Sequence, residues 1–149
     1  MAPFRILIID DSASTRKGLR ELLIPLQAEI AEANNGREGL TMALDGRFDL
    51  VITDIDMPHM DGIEFCQRLK NAPATRGIPV IIVSAFDSNR DIDLGFQAGA
   101  WAYLSKRDAR SELYQTIEKV LSKSHFQRQQ VIMVVDDSPF NRKVISEML

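Results

Sequence analysis

The sequence contains a single cysteine, Cys66, so no disulfide framework can form within the chain. It also lacks any apolar stretch near the roughly 18 residues that a membrane-spanning helix requires. Its first residues, Met1–Arg5, lack the charged region, apolar core and cleavage site of a secretory signal. We therefore expect a soluble protein of a reducing compartment, the cytoplasm, with no membrane partner.

The chain also lacks an excess of charge of either sign. Its 18 Lys and Arg face 21 Asp and Glu, which gives a formal net charge of −3. Electrostatic binding of nucleic acid requires a basic patch or stripe, so we expect no direct nucleic-acid partner. Hydrophobic residues make up 45% of the chain and charged residues 26%, a composition typical of a globular protein.

The sequence alternates short apolar runs with longer segments of helical periodicity. Short continuous runs rich in Val and Ile are typical of strands that are covered on both faces. We predict five strands, at Ile6–Ile9, Glu29–Ala33, Leu50–Thr53, Val80–Val83 and Trp101–Leu104. Five helices are predicted: a short one over Gly36–Leu44, and four from the apolar faces Leu19/Leu22/Leu23/Leu26, Ile63/Cys66/Leu69, Ile92/Phe96 and Leu113/Ile117/Val120/Leu121. This order predicts an α/β fold with a doubly wound, five-stranded parallel sheet and helices on both faces.

The chain then repeats its own beginning. The run Ile6-Leu-Ile-Ile-Asp-Asp-Ser recurs as Ile132-Met-Val-Val-Asp-Asp-Ser, and a repeat with the period of a whole domain indicates a second domain of the same fold. We predict a first domain at 1–124, a linker or helix extension at 125–130, and the first strand and helix of a truncated second domain at 131–149. The apolar run Val131–Val135 needs cover, so we predict that it pairs with a sheet edge or packs on a neighbouring chain.

Polar side chains stand where the predicted strands end. Open parallel sheets place their sites at the carboxyl ends of the strands. The first strand is followed by Asp10 and Asp11, the third by Asp54, the fourth by Ser84 and the fifth by Lys106. Clustered carboxylates repel one another, so either some are protonated or a cation lies among them. Ligands that offer only oxygen suit Mg²⁺ better than Zn²⁺.

The same residues could also perform phosphoryl chemistry. A carboxylate can attack phosphorus and form an acyl phosphate. Such a reaction needs a metal, a cationic side chain and a hydroxyl donor around the phosphoryl oxygens. Asp10 and Asp11 with Mg²⁺, Lys106 and Ser84 would supply these three, and Asp54 is the predicted nucleophile because it ends the central strand.

Four segments carry these residues in a specific order and spacing. They are Ile8-Ile9-Asp10-Asp11-Ser12, Thr53-Asp54-Ile55-Asp56-Met57-Pro58-His59-Met60-Asp61-Gly62, Ile78-Pro79-Val80-Ile81-Ile82-Val83-Ser84-Ala85 and Gly99-Ala100-Trp101-Ala102-Tyr103-Leu104-Ser105-Lys106. Together they resemble the receiver domain of bacterial two-component response regulators. The resemblance implies a flavodoxin-like sheet of strand order 2-1-3-4-5. It further implies a phosphoacceptor signalling domain that is not an enzyme and that slowly loses its phosphoryl group to water.

The resemblance also implies the metal site and the phosphorylation site. Asp54 matches the phosphorylated residue, and it matches a direct Mg²⁺ ligand together with Asp11 and the backbone carbonyl of Asp56. Asp10 matches the acid that holds the metal through water. The donor of the phosphoryl group would be a sensor histidine kinase, a phosphotransfer protein or a small phosphodonor.

The remaining positions match the phosphoryl-binding and switching residues of the family. Ser84 and Lys106 match the hydroxyl and the ammonium that bind the phosphoryl group. Tyr103 matches the aromatic switch, which turns inward when Ser84 moves. The face formed by the fourth helix, fifth strand and fifth helix would then bind partners or a second copy as a homodimer, and an output domain would follow this chain.

One residue departs from the family pattern. Arg107 follows Lys106 where the family usually has proline after a cis peptide bond, so this bond is either trans or a rare cis bond.

Two other interpretations of the function stay open. A receiver-like interaction module that is never phosphorylated is one alternative. The pair Asp54 and Asp56 also resembles the acid pair of haloacid-dehalogenase-like phosphatases, but there the pair follows the first strand and a threonine stands where Pro58 stands here.

Overall fold

Five strands and five α-helices alternate along the chain in a computed structural model that describes the backbone of residues 4–129 and the side chains of residues 4–122. The elements are β1 (Arg5–Ile9), α1 (Ala13–Leu23), β2 (Glu29–Ala33), α2 (Gly36–Asp45), β3 (Leu50–Thr53), α3 (Gly62–Asn71), β4 (Val80–Ser84), α4 (Asn89–Gln97), β5 (Ala102–Ser105) and α5 (Lys106–Gln129), with a short 3-10 helix at Ile24–Leu26. All strand pairs are parallel, and the sheet order is β2-β1-β3-β4-β5. The predicted fold is confirmed.

The sheet separates two apolar clusters. Successive residues of a strand point to opposite faces, so Leu7 and Ile9 pack with α2, α3 and α4, whereas Ile6 and Ile8 pack with α1 and α5. Apart from Arg5, every residue of β1, β3, β4 and β5 is buried. Burial on both faces explains why these strands read as continuous apolar runs in the sequence.

Side-chain caps fix the loops that lead from the strands into the helices. Ser12 accepts a hydrogen bond from the Thr15 N–H at the start of α1, and Asp61 and Ser88 cap α3 and α4 in the same way. At the start of α5, Ser105 Oγ accepts from the Asp108 N–H at 3.1 Å. Each of these loops at the carboxyl edge of the sheet is therefore fixed at the end where its helix begins.

Trp101 does not lie where the strand pattern predicts it. The prediction begins the fifth strand at Trp101 and so puts this side chain on the same side of the sheet as Tyr103. In the structure β5 begins one residue later, and Trp101 packs on the α1/α5 side, whereas Tyr103 belongs to the opposite cluster. The predicted side of Trp101 is wrong because the alternation of side chains between the two faces applies only within the strand, which begins at Ala102.

The predicted linker or helix extension at 125–130 and the predicted second domain at 131–149 lie largely outside the described residues. Helix α5 continues as far as Gln129. The repeated segment at 131–149 is not described, so the expected pairing of Val131–Val135 stays a prediction. Among the described residues, none of the helices combines the length and the apolar character needed to cross a membrane.

Candidate functional site

Three carboxylates meet at the carboxyl edge of the central strands. Asp10 and Asp11 follow β1, and Asp54 follows its neighbour β3. Each of these residues offers a carboxylate oxygen such that the three oxygens lie within 4.8 Å of one another. Asp10 and Asp54 are buried, whereas Asp11 is exposed to solvent. Three hard oxygen donors with one open side, where waters can complete the shell, fit the coordination of Mg²⁺.

The backbone and the carboxylate of Asp10 are both held in place. The Asp10 N–H donates to the carbonyl of Ala33 on β2 at 3.1 Å, and Asp10 Oδ1 accepts from the Ser12 N–H at 2.9 Å. Burial raises the pKa of the Asp10 carboxyl above its usual value, and the charge of Asp54 adds to this rise. The Ser12 N–H and the Lys106 ammonium oppose the rise. The free acidic cluster is therefore electrostatically strained, and a cation placed among its oxygens would relieve the repulsion.

Asp54 is fixed at the centre of the site. Its N–H donates to the Ile9 carbonyl at 3.0 Å, and its Oδ1 accepts from the Ile55 N–H at 2.7 Å. The first residue of α3, Gly62, lies very close to the Asp54 backbone. A Cβ at this position would lie 2.0 Å from the Asp54 carbonyl oxygen, so only glycine fits there.

Lys106 is the first residue of α5, and its ammonium reaches two of the carboxylates. Lys106 Nζ lies 3.1 Å from Asp54 Oδ2 and 3.3 Å from Asp10 Oδ2. Burial alone would lower the pKa of Lys106, but the hydrogen bond and the charge of Asp54, together with Asp10, raise it. Lys106 therefore stays charged beside Asp54. The following peptide bond to Arg107 is trans, which settles the alternative left open by the missing proline.

Ser84 and Tyr103 are linked through one loop. Ser84 ends β4, and its Oγ accepts from the N–H of Phe86 at 3.1 Å. Tyr103 is fully buried, and its hydroxyl donates to the backbone carbonyl of the same Phe86. Burial raises the pKa of Tyr103 to about 12, so this hydroxyl remains a donor at neutral pH. The Phe86 loop thus connects the Ser84 hydroxyl with the Tyr103 ring.

The side chain of Asp56 lies outside the acidic cluster. It is exposed on the loop after β3, and its carboxylate is not part of the acidic cluster among the described residues. The nearby Met57 and Met60 are buried and pack in the core beneath this loop.

Two contacts of the site escaped sequence reasoning. The bond from Tyr103 to the Phe86 carbonyl involves a backbone atom, which every residue type offers, so no sequence signal marks it. Arg16 Nη1 donates to the Asp10 carbonyl at 2.6 Å. A signal for Arg16 did exist, since it recurs as Arg142 in the repeated segment.

Curated proteins of related sequence are regulators that are longer than this chain. It is 38% identical over 117 residues to a gliding motility regulatory protein of Myxococcus xanthus, an alignment covering 78% of this chain and 15% of that protein. It is 36% identical over 102 residues to the response regulator PleD of Caulobacter vibrioides, covering 68% and 22%. It is 32% identical over 120 residues to the transcriptional regulatory protein ResD of Bacillus subtilis, covering 80% and 49%. The chain therefore spans only 15% to 49% of these relatives.

Solved structures of similar fold match over nearly their whole length. Chemotaxis protein CheY4 of Vibrio cholerae has a TM-score of 0.74 at 31% identity, covering 80% of this chain and 100% of that one. The receiver domain of a signal transduction histidine kinase from Syntrophus aciditrophicus has a TM-score of 0.76 at 30% identity, covering 89% and 99%. A chain of the CheX–CheY–BeF3–Mg²⁺ complex from Borrelia burgdorferi has a TM-score of 0.74 at 28% identity, covering 80% and 90%.

The match to a family is equally extensive. Residues 6–118 match the response regulator receiver domain. Because this match extends across all five strands and reaches into α5, the chain belongs to the response regulator receiver domain family.

Proposed function

We propose that this chain is a phosphoacceptor domain in which Asp54 is phosphorylated in the presence of Mg²⁺. One observation carries the proposal: the Asp54 carboxylate lies within 4.8 Å of two further carboxylates and 3.1 Å from the Lys106 ammonium. A buried nucleophile flanked by metal ligands and a fixed cation is the arrangement that phosphoryl transfer needs.

The acidic cluster is the proposed Mg²⁺ site. Asp11 and Asp54 would bind the ion directly with the backbone carbonyl of Asp56, and Asp10 would hold it through water. When bound, the ion offsets negative charge on the phosphoryl oxygens. Lys106 does the same from the other side and keeps Asp54 oriented.

The transfer itself is a displacement at phosphorus. A carboxylate oxygen of Asp54 forms a bond to phosphorus, and the bond from phosphorus to the histidine nitrogen of a kinase, or to the leaving oxygen of a small phosphodonor, breaks. The leaving group departs with the electron pair. The product is an acyl phosphate on Asp54, which water slowly hydrolyses back to the carboxylate and phosphate.

Phosphorylation would then be read through Ser84 and Tyr103. The new group adds about 1.5 to 2 negative charges and strong acceptor oxygens, which attract the Ser84 hydroxyl. Both Ser84 and Tyr103 are bonded to the Phe86 backbone, so movement of Ser84 reaches the start of α4 through that loop. The face made by α4, β5 and α5 is the proposed surface for partners or for a homodimer.

The proposal extends to the protein of which this domain is part. Its regulator relatives are several times longer or about twice as long as the matched region, so we propose that an output domain follows. Residues 131–149, which repeat the β1–α1 sequence, would begin a second receiver of a tandem arrangement. The proposed donor is a histidine kinase or phosphotransfer protein in the cytoplasm.

Phosphorylation by a small phosphodonor tests the proposal. We expect acetyl phosphate with Mg²⁺ to add one phosphoryl group per chain, measured by intact mass, and we expect chelation of Mg²⁺ or the change Asp54→Asn to abolish it. Absence of any modified chain would favour the unphosphorylated interaction module. Continuous turnover of an added phosphomonoester would favour the haloacid-dehalogenase-like phosphatase instead.

A further inference from the structure

Arg16 links the acidic site to the edge strand of the sheet. It lies in the first turn of α1, and its guanidinium donates through Nη1 to the Asp10 carbonyl at 2.6 Å and through Nε to Glu32 Oε1 on β2 at 2.7 Å. Its side chain is only 17% exposed. A guanidinium bound at two points has little rotational freedom, so the position of the donor to Asp10 is well defined.

The Asp10 carbonyl belongs to the same rigid unit as the Asp11 nitrogen. The peptide bond is planar, so its C=O and the next N–H move together. A donor that fixes the Asp10 carbonyl therefore also fixes the plane from which Asp11 extends. Asp11 is exposed and belongs to the acidic cluster, where a ligand's direction decides whether it meets the metal.

The Glu32 carboxylate binds Arg16 and also a second arginine, Arg20. Arg20 Nη1 lies 3.1 Å from Glu32 Oε2, and its other contact is the Ile30 carbonyl at 3.5 Å, away from the site. The two arginines thus share one carboxylate, but only Arg16 reaches Asp10. Arg20 is a matched control that the chain itself provides.

We propose that Arg16, oriented by Glu32, is a positioning residue for metal binding: it fixes the Asp10–Asp11 peptide and thereby directs the Asp11 carboxylate toward the Mg²⁺ site. The inference rests on the proposed function, because it takes Asp11 to be a metal ligand. Groups that orient ligands from the second layer commonly change metal affinity by about 10- to 100-fold.

The electrostatic effect of Arg16 has the opposite sign to the positioning effect, which makes the test decisive. Removing a cation near a Mg²⁺ site strengthens the attraction for the ion. Removing a positioning contact weakens binding, because the ligand then samples directions away from the metal. We expect Arg16→Gln to raise the Kd for Mg²⁺ about tenfold, measured by titration calorimetry of the unphosphorylated full chain, and Arg20→Gln to leave it within about twofold.

A second readout needs no metal. In Arg16→Gln the Asp11 N–H, which shares a peptide plane with the Asp10 carbonyl, should show a lower ¹⁵N order parameter than in the wild type, whereas Arg20→Gln should leave it unchanged. If Arg16→Gln does not fold, Arg16→Lys takes its place: a lysine keeps the charge but cannot bridge Asp10 and Glu32 in the same way, so the Kd should again rise, by a smaller factor.

The outcomes separate the inference from the function on which it rests. A wild-type chain that binds no Mg²⁺ overturns the proposed function. A wild type that binds the ion, with a Kd in Arg16→Gln that is unchanged or lower, overturns only the positioning role. Equal weakening in Arg16→Gln and Arg20→Gln also overturns it, because the effect would then belong to the charge balance around Glu32.

Discussion

At the scale of single residues, burial decides how the polar side chains behave. The hydroxyl of Tyr103 keeps its proton because an ionised ring would be buried among apolar side chains, and burial raises its pKa from 10.0 to about 12. The same effect raises the pKa of the Cys66 thiol to about 11, which agrees with its predicted place in the core. Cys66 is therefore an unreactive packing residue at neutral pH.

Tyr103→Phe tests the environment of this hydroxyl through the pH dependence of stability. The pKa of Tyr103 in the folded state lies above its value in the unfolded state. The contribution of the protonated hydroxyl to the free energy of unfolding is therefore complete below pH 10 and is lost as the pH rises from 10 through 12. The wild type should lose about 1 kcal/mol more of its free energy of unfolding than Tyr103→Phe between pH 8 and pH 11. Urea denaturation at both pH values measures this difference.

The control for that measurement is Tyr114→Phe on α5, where the ring is partly exposed. This variant should keep the wild-type pH dependence. Identical slopes for the wild type and Tyr103→Phe would show that burial does not hold the proton on Tyr103.

At the scale of the elements, pattern reasoning succeeded where one physical effect dominates. Strands β3 and β4 were predicted from continuous Val and Ile runs, because strands covered on both faces leave no room for polar residues. The prediction failed at Trp101, because this residue lies in the loop before β5 and the strand alternation does not apply to its side chain. It also missed the contact of Arg16, since hydrophobic periodicity does not show that this arginine of α1 donates to the backbone carbonyl of Asp10 in the preceding loop.

The packing of helix α4 against the Tyr103 ring can be tested at Gly95. A Cβ added at Gly95 would lie 2.9 Å from both Tyr103 Cδ2 and Ile82 Cδ1. Gly95→Ala gains up to about 1 kcal/mol of helix propensity, but overpacking costs about 1 to 3 kcal/mol. We expect a net loss of about 1 kcal/mol in the free energy of unfolding, measured by urea denaturation.

Gly18→Ala in α1 is the matched control, since a Cβ there meets nothing within 4 Å. It should raise the free energy of unfolding by about 0.5 to 1 kcal/mol. A stabilisation of Gly95→Ala equal to that of Gly18→Ala would mean that the space beside Tyr103 is not filled.

At the scale of the whole molecule, the topology gathers the site. Strands β1, β3, β4 and β5 are neighbours in the sheet although their sequences are far apart, so their carboxyl ends bring the carboxylates, Ser84 and Lys106 to one edge. The sequence allowed Asp10, Asp54 and Lys106 to be predicted as neighbours because each directly follows a strand of a parallel sheet, and Ser84 because it ends one. It did not contain the inter-residue distances, which depend on how the loops are capped and anchored.

The two apolar clusters also predict which part of the chain is needed for stability. Among the described residues, the two clusters cover both faces of the sheet and extend as far as Leu121. We therefore expect a chain ending at Gln130 to keep its free energy of unfolding within about 1 kcal/mol of the full chain. It should also keep Mg²⁺-dependent phosphorylation. Loss of folding on this truncation would show that residues 131–149 cover part of the domain.

The most direct test of the phosphoacceptor site is a crystal structure of the chain with Mg²⁺ and beryllofluoride, an analogue of the phosphoryl group. We expect the ion at about 2.1 Å from oxygens of Asp11 and Asp54, and the beryllium bonded to Asp54 with its fluorines in contact with Ser84 and Lys106. A metal bound elsewhere, or an Asp54 that stays unmodified in crystals grown with both reagents, would contradict the account.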